Sequence, residues 1–126
     1  MELSSVHHIA IIVSDYDRAM DFYRNRLGFA VVNEVDRPER GDRIVNLRVS
    51  ADTQLELFVR RDPPARVTDP EAAGLRHLAF RVADVPAAAR ELAEKGIAVE
   101  PVRTEASGAR FTFFRDPDGL PIELHE

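Results

Sequence analysis

The stretch "HIAIIVSD", residues 8 to 15, decides how this chain is read, because "HLAFRVAD", residues 77 to 84, repeats it phrase for phrase. Both begin on a histidine, continue as a strand-like apolar run and end on an aspartate. The offset is 69 residues from His8 to His77 and again from Asp15 to Asp84. A polar imidazole at the head of a strand that looks buried must be satisfied by a partner. His8 and His77 are therefore read together.

The repeat extends outward from these phrases. After the first aspartate, Met20, Tyr23 and Leu27 recur at helical spacing, and Gly28 follows as a C-terminal stop. After the second, Val85, Ala88, Ala89 and Leu92 do the same before Gly96. Asp15 and Asp84, or the residues just before them, are placed to cap these helices, since a short side-chain acceptor satisfies free amides of the first turn. Strand-like runs follow each helix: "FAVVNEV", "RIVNLRVS" and "QLELFVR" in the first half, "IAVEPV", "RFTFF" and "LPIELHE" in the second. The fold class is α+β, with two tandem βαβββ modules over residues 5–60 and 75–126. Residues 61–74, "RDPPARVTDPEAAG", are rich in proline and charge and read as the linker inside a single domain spanning 1–126. One open sheet with one helix cannot cover both its faces, so the halves are expected to pack together, within the chain or across a homodimer.

Composition limits the chemistry. The 126 residues suit one compact domain, and 44% hydrophobic with 31% charged residues argues against extensive disorder. The net charge is -5 with both signs interspersed, which leaves no basic stripe for a nucleic acid. The apolar run from Ile9 to Val13 is far short of the ~20 residues that span a bilayer. "MELSS" does not resemble a secretory leader, and the cytoplasm is the expected location. With no cysteine, any metal here must be held by nitrogen and oxygen.

A second repeat-related pair supplies such donors. "LELF" places Glu56 where "IELH" places Glu123, an offset of 67 residues from 56 to 123. Strand alternation selects His8 over His7 as the counterpart of His77, because adjacent side chains point to opposite faces. Each residue alone has an ordinary reading: a strand-start histidine is commonly a surface or hydrogen-bonded group. Taken together they make a charge-balanced set, two neutral imidazoles and two carboxylates around a dication. Without the cation, two nearby buried carboxylates would be expensive. Such a set suits an octahedral ion with two positions open to water or substrate, and Zn, Ni, Co, Mn and Fe are all compatible.

The paired halves, together with "HHIAIIVSDYDRAMDFYRNRLGF", "LRHLAFRVAD" and "FFRDPDGLPIEL", resemble the vicinal oxygen chelate superfamily and, within it, the glyoxalase I-like, or lactoylglutathione lyase-like, branch. The resemblance covers almost the whole chain. It implies a curved, barrel-like mixed sheet around a metal cavity, with His8, Glu56, His77 and Glu123 as ligands of one divalent ion, Zn or Ni foremost. It further implies a lyase or isomerase acting on a small, oxygen-chelating, 2-oxoaldehyde-derived or related anionic substrate through an enediolate, with Glu123 as the catalytic proton shuttle. Two positions depart from glyoxalase I: Ile12 and Arg60 stand where its arginine and asparagine hold glutathione, so the resemblance does not carry the glutathione clamp across.

Arg60 lies four residues beyond Glu56 and Arg81 four beyond His77, on the same strand faces as those ligands, where they either draw in an anionic substrate or are simply the solvated ends of strands. Arg110, Phe113 and Arg115 near "DPDG" are lesser candidates for the same role, with hairpin packing and surface charge as their ordinary reading. Two alternatives come with the superfamily. A metal-free module of the bleomycin-resistance type sequesters a small molecule and needs no ligand quartet. An Fe(II) extradiol-type dioxygenase uses two histidines and one carboxylate, which leaves the second glutamate unexplained. A methylmalonyl-CoA type of epimerase is a further relative, usually with glutamine at the position of Glu56.

Overall fold

The computed structural model describes all residues from Met1 to Glu126. The chain divides into two compact units, Met1–Pro64 and Ala65–Glu126. In the first, β1 (His8–Val13) leads into α1 (Tyr16–Met20) and a π-helical turn (Asp21–Arg26), followed by β2 (Ala30–Arg37), a short 3-10 turn (Pro38–Arg40), β3 (Asp42–Arg48) and β4 (Gln54–Arg60). In the second, β5 (Leu78–Arg81) leads into α2 (Val85–Glu94), β6 (Arg103–Thr104), β7 (Arg110–Arg115) and β8 (Pro121–His125). Both units are βαβββ, and the class is α+β as the repeat predicts.

The two sheets have the same order, β1-β4-β3-β2 and β5-β8-β7-β6. In each, the first strand pairs parallel with the last and all other pairs are antiparallel. Each is an open four-stranded sheet that does not close on itself. No helix is long and apolar enough to cross a membrane.

Alternation sorts the side chains of each sheet. In the first unit Val13, Val45, Leu47, Leu55 and Leu57 are fully buried, joined by Ala19, Met20, Phe22 and Tyr23 of the helical segment. Each aliphatic side chain removed from water in this way is worth about 1.5–3 kcal/mol. Positions of opposite parity, including His8, Ala10, Glu56 and Phe58, belong to the other face of the same sheet. In the second unit Thr112, Phe114, Ile122 and Leu124 are buried with Val85 and Leu92 of α2, which packs on β7 and β8.

Both helices begin on the expected caps. Asp15 accepts from the Arg18 amide at 2.8 Å, and Asp84 from the Ala87 amide at 3.0 Å. Both also end at the expected glycines, where φ is +81° at Gly28 and +77° at Gly96, values that L side chains rarely adopt.

Two local expectations differ from the structure. The first helix continues as a π turn, with the Leu27 amide donating to the Phe22 carbonyl at 2.9 Å. The extra residue in this turn lets Phe22 and Tyr23, neighbours in sequence, both be buried, with their rings meeting edge-on. The run "IAVEPV" is not a strand of its own. Val99 makes a single bridge to Phe114, and regular pairing resumes only in β6, where Arg103 faces Phe111. Pro101 between them has no amide to donate, and the register slips by one residue across it.

Candidate metal-binding pairs and their surroundings

β1 and β4 run parallel with Ala10 beside Glu56. His8, two residues before Ala10, shares its face. The imidazole Nε2 of His8 stands 3.3 Å from Glu56 Oε2, and its Nδ1 lies 2.8 Å from Nδ1 of His7, so one of these two rings donates to the other. Alternation assigned His7 to the opposite face, yet its ring turns back to meet His8 edge-on.

The second unit repeats the arrangement. β5 and β8 run parallel with Ala79 beside Glu123, and His77 lies two residues before Ala79. His77 Nε2 is 2.9 Å from Glu123 Oε2. Arg76 Nη1 lies 3.1 Å from His77 Nδ1. A guanidinium can only donate, so Nδ1 accepts, and a neutral ring then carries its proton on Nε2. Glu123 is the more enclosed of the two carboxylates, opposite Phe113 on its sheet face, whereas Glu56 is partly open. Within either unit the pair stands alone: no third His, Cys, Asp or Glu completes a group that could hold a metal ion.

The donors present are chemically suited to a divalent cation, since each pair offers one borderline nitrogen and one hard oxygen on the same sheet face. Each glutamate sits beside the histidine of its own unit.

Arg60 ends β4 on the face of Glu56 and Phe58. Its guanidinium lies 5.7 Å from the Phe58 ring centroid and 3.7 Å from Asp42 Oδ2. Asp42 is buried and held in a two-pronged grip by Arg37, at 2.8 and 2.7 Å. Those Arg37 hydrogen bonds keep its carboxyl below the usual carboxylate range, against the opposing effect of desolvation. Arg60 thus has a structural neighbour as well as an open side. Arg81 ends β5, exposed and in register with His125.

Sequence reading did not single out Arg66, Arg76 or Arg103, which the second unit gathers around one cleft with Arg115. They come from the linker, a strand approach and an edge strand, where no periodicity marks a face. The adjacency of Arg76 to His77 is the one signal that could have found them.

The sequence profile of the Glyoxalase/Bleomycin resistance protein/Dioxygenase superfamily matches residues 5–124. The chain belongs to this superfamily. Among curated members it is 54% identical over 127 residues to the uncharacterized protein YwkD of Bacillus subtilis, covering 100% of this chain and 99% of that one. A crystal structure of a glyoxalase family protein from Enterococcus faecalis is 45% identical, with a TM-score of 0.94 and full coverage of both chains. More distant superfamily relatives differ in what they are named for. Human mitochondrial methylmalonyl-CoA epimerase is 32% identical over 98% of this chain and 74% of its own. The trypanothione-dependent glyoxalase I of Leishmania major is 29% identical with a TM-score of 0.76, over 95% of this chain and 84% of its own. TnmS3, an antibiotic binding protein from a Streptomyces species, is 34% identical with a TM-score of 0.75, over 98% and 96% of the two chains. The superfamily is thus shown, while its glyoxalase I-like branch is not singled out from epimerase and binding-protein relatives.

Proposed function

We propose that this protein is a divalent-metal-dependent enzyme of lyase or isomerase type that moves a proton at the carbon beside a carbonyl of a small, oxygen-chelating substrate. The observation that carries the reading is the repeated relation in the two units: a histidine two residues before an alanine, and that alanine paired across parallel strands with a glutamate. Sequence duplication alone would preserve strands and caps. Preserving the same nitrogen and oxygen donors on the same face in both copies points to a shared chemical task.

In this reading His8, Glu56, His77 and Glu123 hold the ion, two ligands from each unit. Two neutral imidazoles and two carboxylates balance a dication, Zn or Ni foremost. When bound, the ion supplies Lewis-acid polarisation of the substrate oxygens. Glu123 removes the proton: an Oε takes it from the carbon beside the carbonyl, and the electron pair moves onto the carbonyl oxygen to give an enolate or enediolate. The same carboxyl then returns the proton to the neighbouring carbon in an isomerisation, whereas in an epimerisation a second acid on the opposite face of the enolate delivers a proton there and Glu123 keeps the one it took. The low exposure of Glu123, beside Phe113 on the same sheet face, limits exchange of that proton with bulk water. Relatives named as epimerases and as glyoxalase I support this common step. Glutathione is not required by it, since Ile12 and Arg60 occupy the positions of the clamp.

The test is solvent exchange. Protein loaded with Zn or Ni is incubated in deuterium oxide with 2-oxoaldehydes, with and without a thiol, and with 2-substituted malonyl thioesters, and deuterium entering the carbon skeleton is followed by NMR. Exchange on one of these classes is expected, reduced about 10²–10⁴-fold by Glu123→Gln. Absence of stoichiometric divalent metal after loading, or exchange indifferent to Glu123→Gln, overturns the reading.

A further inference from the structure

The second unit carries a cleft of about 360 Å³ whose charge the proton-transfer step does not explain. Arg66, Arg76, Arg103 and Arg115 line it, against Glu71 and Glu100. Four cations and two anions leave an excess of two positive charges, in a chain whose net charge is -5. Such a local reversal of sign focuses the field on one kind of ligand.

The partners of these arginines sharpen the point. Arg76 is spent on Glu71 at 3.0 Å and Arg103 on Glu100 at 3.1 Å. Arg66 and Arg115 have no carboxylate partner. Arg66 Nη2 donates to the carbonyls of Leu75 and Arg76, both at 2.7 Å, and Arg115 Nη1 donates to the Gly119 carbonyl at 3.2 Å. Carbonyl acceptors fix a guanidinium in place without cancelling its charge, and its remaining N–H groups stay available. Arg103 is steadied from below, 4.9 Å from the Phe111 ring centroid and 5.5 Å from that of Phe113.

The cleft also adjoins the candidate chemistry. Phe113 forms part of its wall, meets the His77 ring edge-on at 5.1 Å and faces Glu123 across β7 and β8. Phe113 is thus shared between the cleft wall and the surroundings of the His77–Glu123 pair.

We propose that this cleft binds an anionic group of the substrate, a phosphate or a carboxylate, with Arg66 and Arg115 as its anchors. The inference names the substrate class for the reaction proposed above and rests on that reading only for the chemistry performed. Paired, preset guanidiniums match the planar edge of a carboxylate or the oxygens of a phosphate, whereas a neutral apolar guest would have to desolvate them without return.

The experiment uses the full chain without metal or turnover, so its outcome is independent of the enzymatic reading. Inorganic phosphate, malonate and the neutral analogue malonamide are titrated calorimetrically at low salt. Saturable binding of phosphate or malonate, and none of malonamide, is expected, and the tighter of the two anions tells a phosphorylated substrate from a dicarboxylate. Arg66→Gln and Arg115→Gln, which keep a carbonyl-directed N–H, should each weaken the anion about 10- to 100-fold. Arg90→Gln on α2, exposed and outside the cleft, should leave it unchanged. The proposal is overturned if no anion binds saturably, if malonamide binds as well as malonate, or if the Arg90 variant weakens binding as much as the cleft variants.

Discussion

Glu126 ties together three parts of the second unit with one carboxylate. Oε1 accepts from the Val85 amide at 3.2 Å at the start of α2, Oε2 accepts from the Arg110 amide at 3.0 Å, and the Arg110 guanidinium closes on both oxygens. The Arg110 side-chain hydrogen bonds come first among the causes that bring its pKa down to about 2, outweighing desolvation, with the two backbone amides adding to them. Because the folded value lies below the ordinary 4.5, the stabilisation is fully present above that pH and is lost as pH falls through about 2. Thermal unfolding of Glu126→Gln should therefore begin well below wild type at pH 6, and the gap should close between pH 4.5 and 2. A gap of constant size over that range would mean that the charge of Glu126 contributes nothing. At this scale the caps Asp15 and Asp84 were legible, because capping depends only on the residues that follow. Among the cleft arginines Arg66 was not, because it finds its carbonyls nine and ten residues away through a chain path that no local pattern encodes.

An element's boundary can be tested in the same way. α2 is ten residues long and opens on Asp84, whose side chain accepts from the Ala87 amide. A helix this short is marginal without its cap and its tertiary contacts. Asp84→Ala should lower unfolding free energy by about 1 kcal/mol in urea titrations, while Asp84→Asn, which retains the acceptor, should cost a few tenths at most. Equal losses in both variants would shift the role of Asp84 from capping to its charge beside Arg110. β4 was read from alternation with its observed limits, Gln54 to Arg60, and β8 to within a residue at each end, since both have partners on either side and strict parity. β6 was misplaced because hydrophobicity marks 97–102 as strand, whereas Pro101 decides which of those backbone amides can pair. The π turn was equally hidden: the spacing of Met20, Tyr23 and Leu27 fits an ordinary helix, and only the demand to bury both Phe22 and Tyr23 widens it.

For the molecule as a whole, duplication was the legible fact: one quoted phrase, found twice, gave two sheets of identical strand order. It also frames the sharpest question about the proposed metal chemistry. Each unit offers one His–Glu pair, and a pair by itself is a weak, two-donor site, whereas two pairs acting on one ion make a four-donor site. The two cases differ in stoichiometry. If two pairs share an ion, the protein binds one divalent ion per chain, regardless of whether the pairs come from one chain or two. Removing either histidine then destroys the whole site. If the pairs act separately, uptake tends toward two ions per chain, and a single substitution leaves half. Elemental analysis after loading with Zn and passage through a desalting column should give about one ion per chain for wild type and close to none for both His8→Ala and His77→Ala. Retention of half the wild-type metal by each variant would sever the two pairs, and with them the reason for placing four ligands on a single ion.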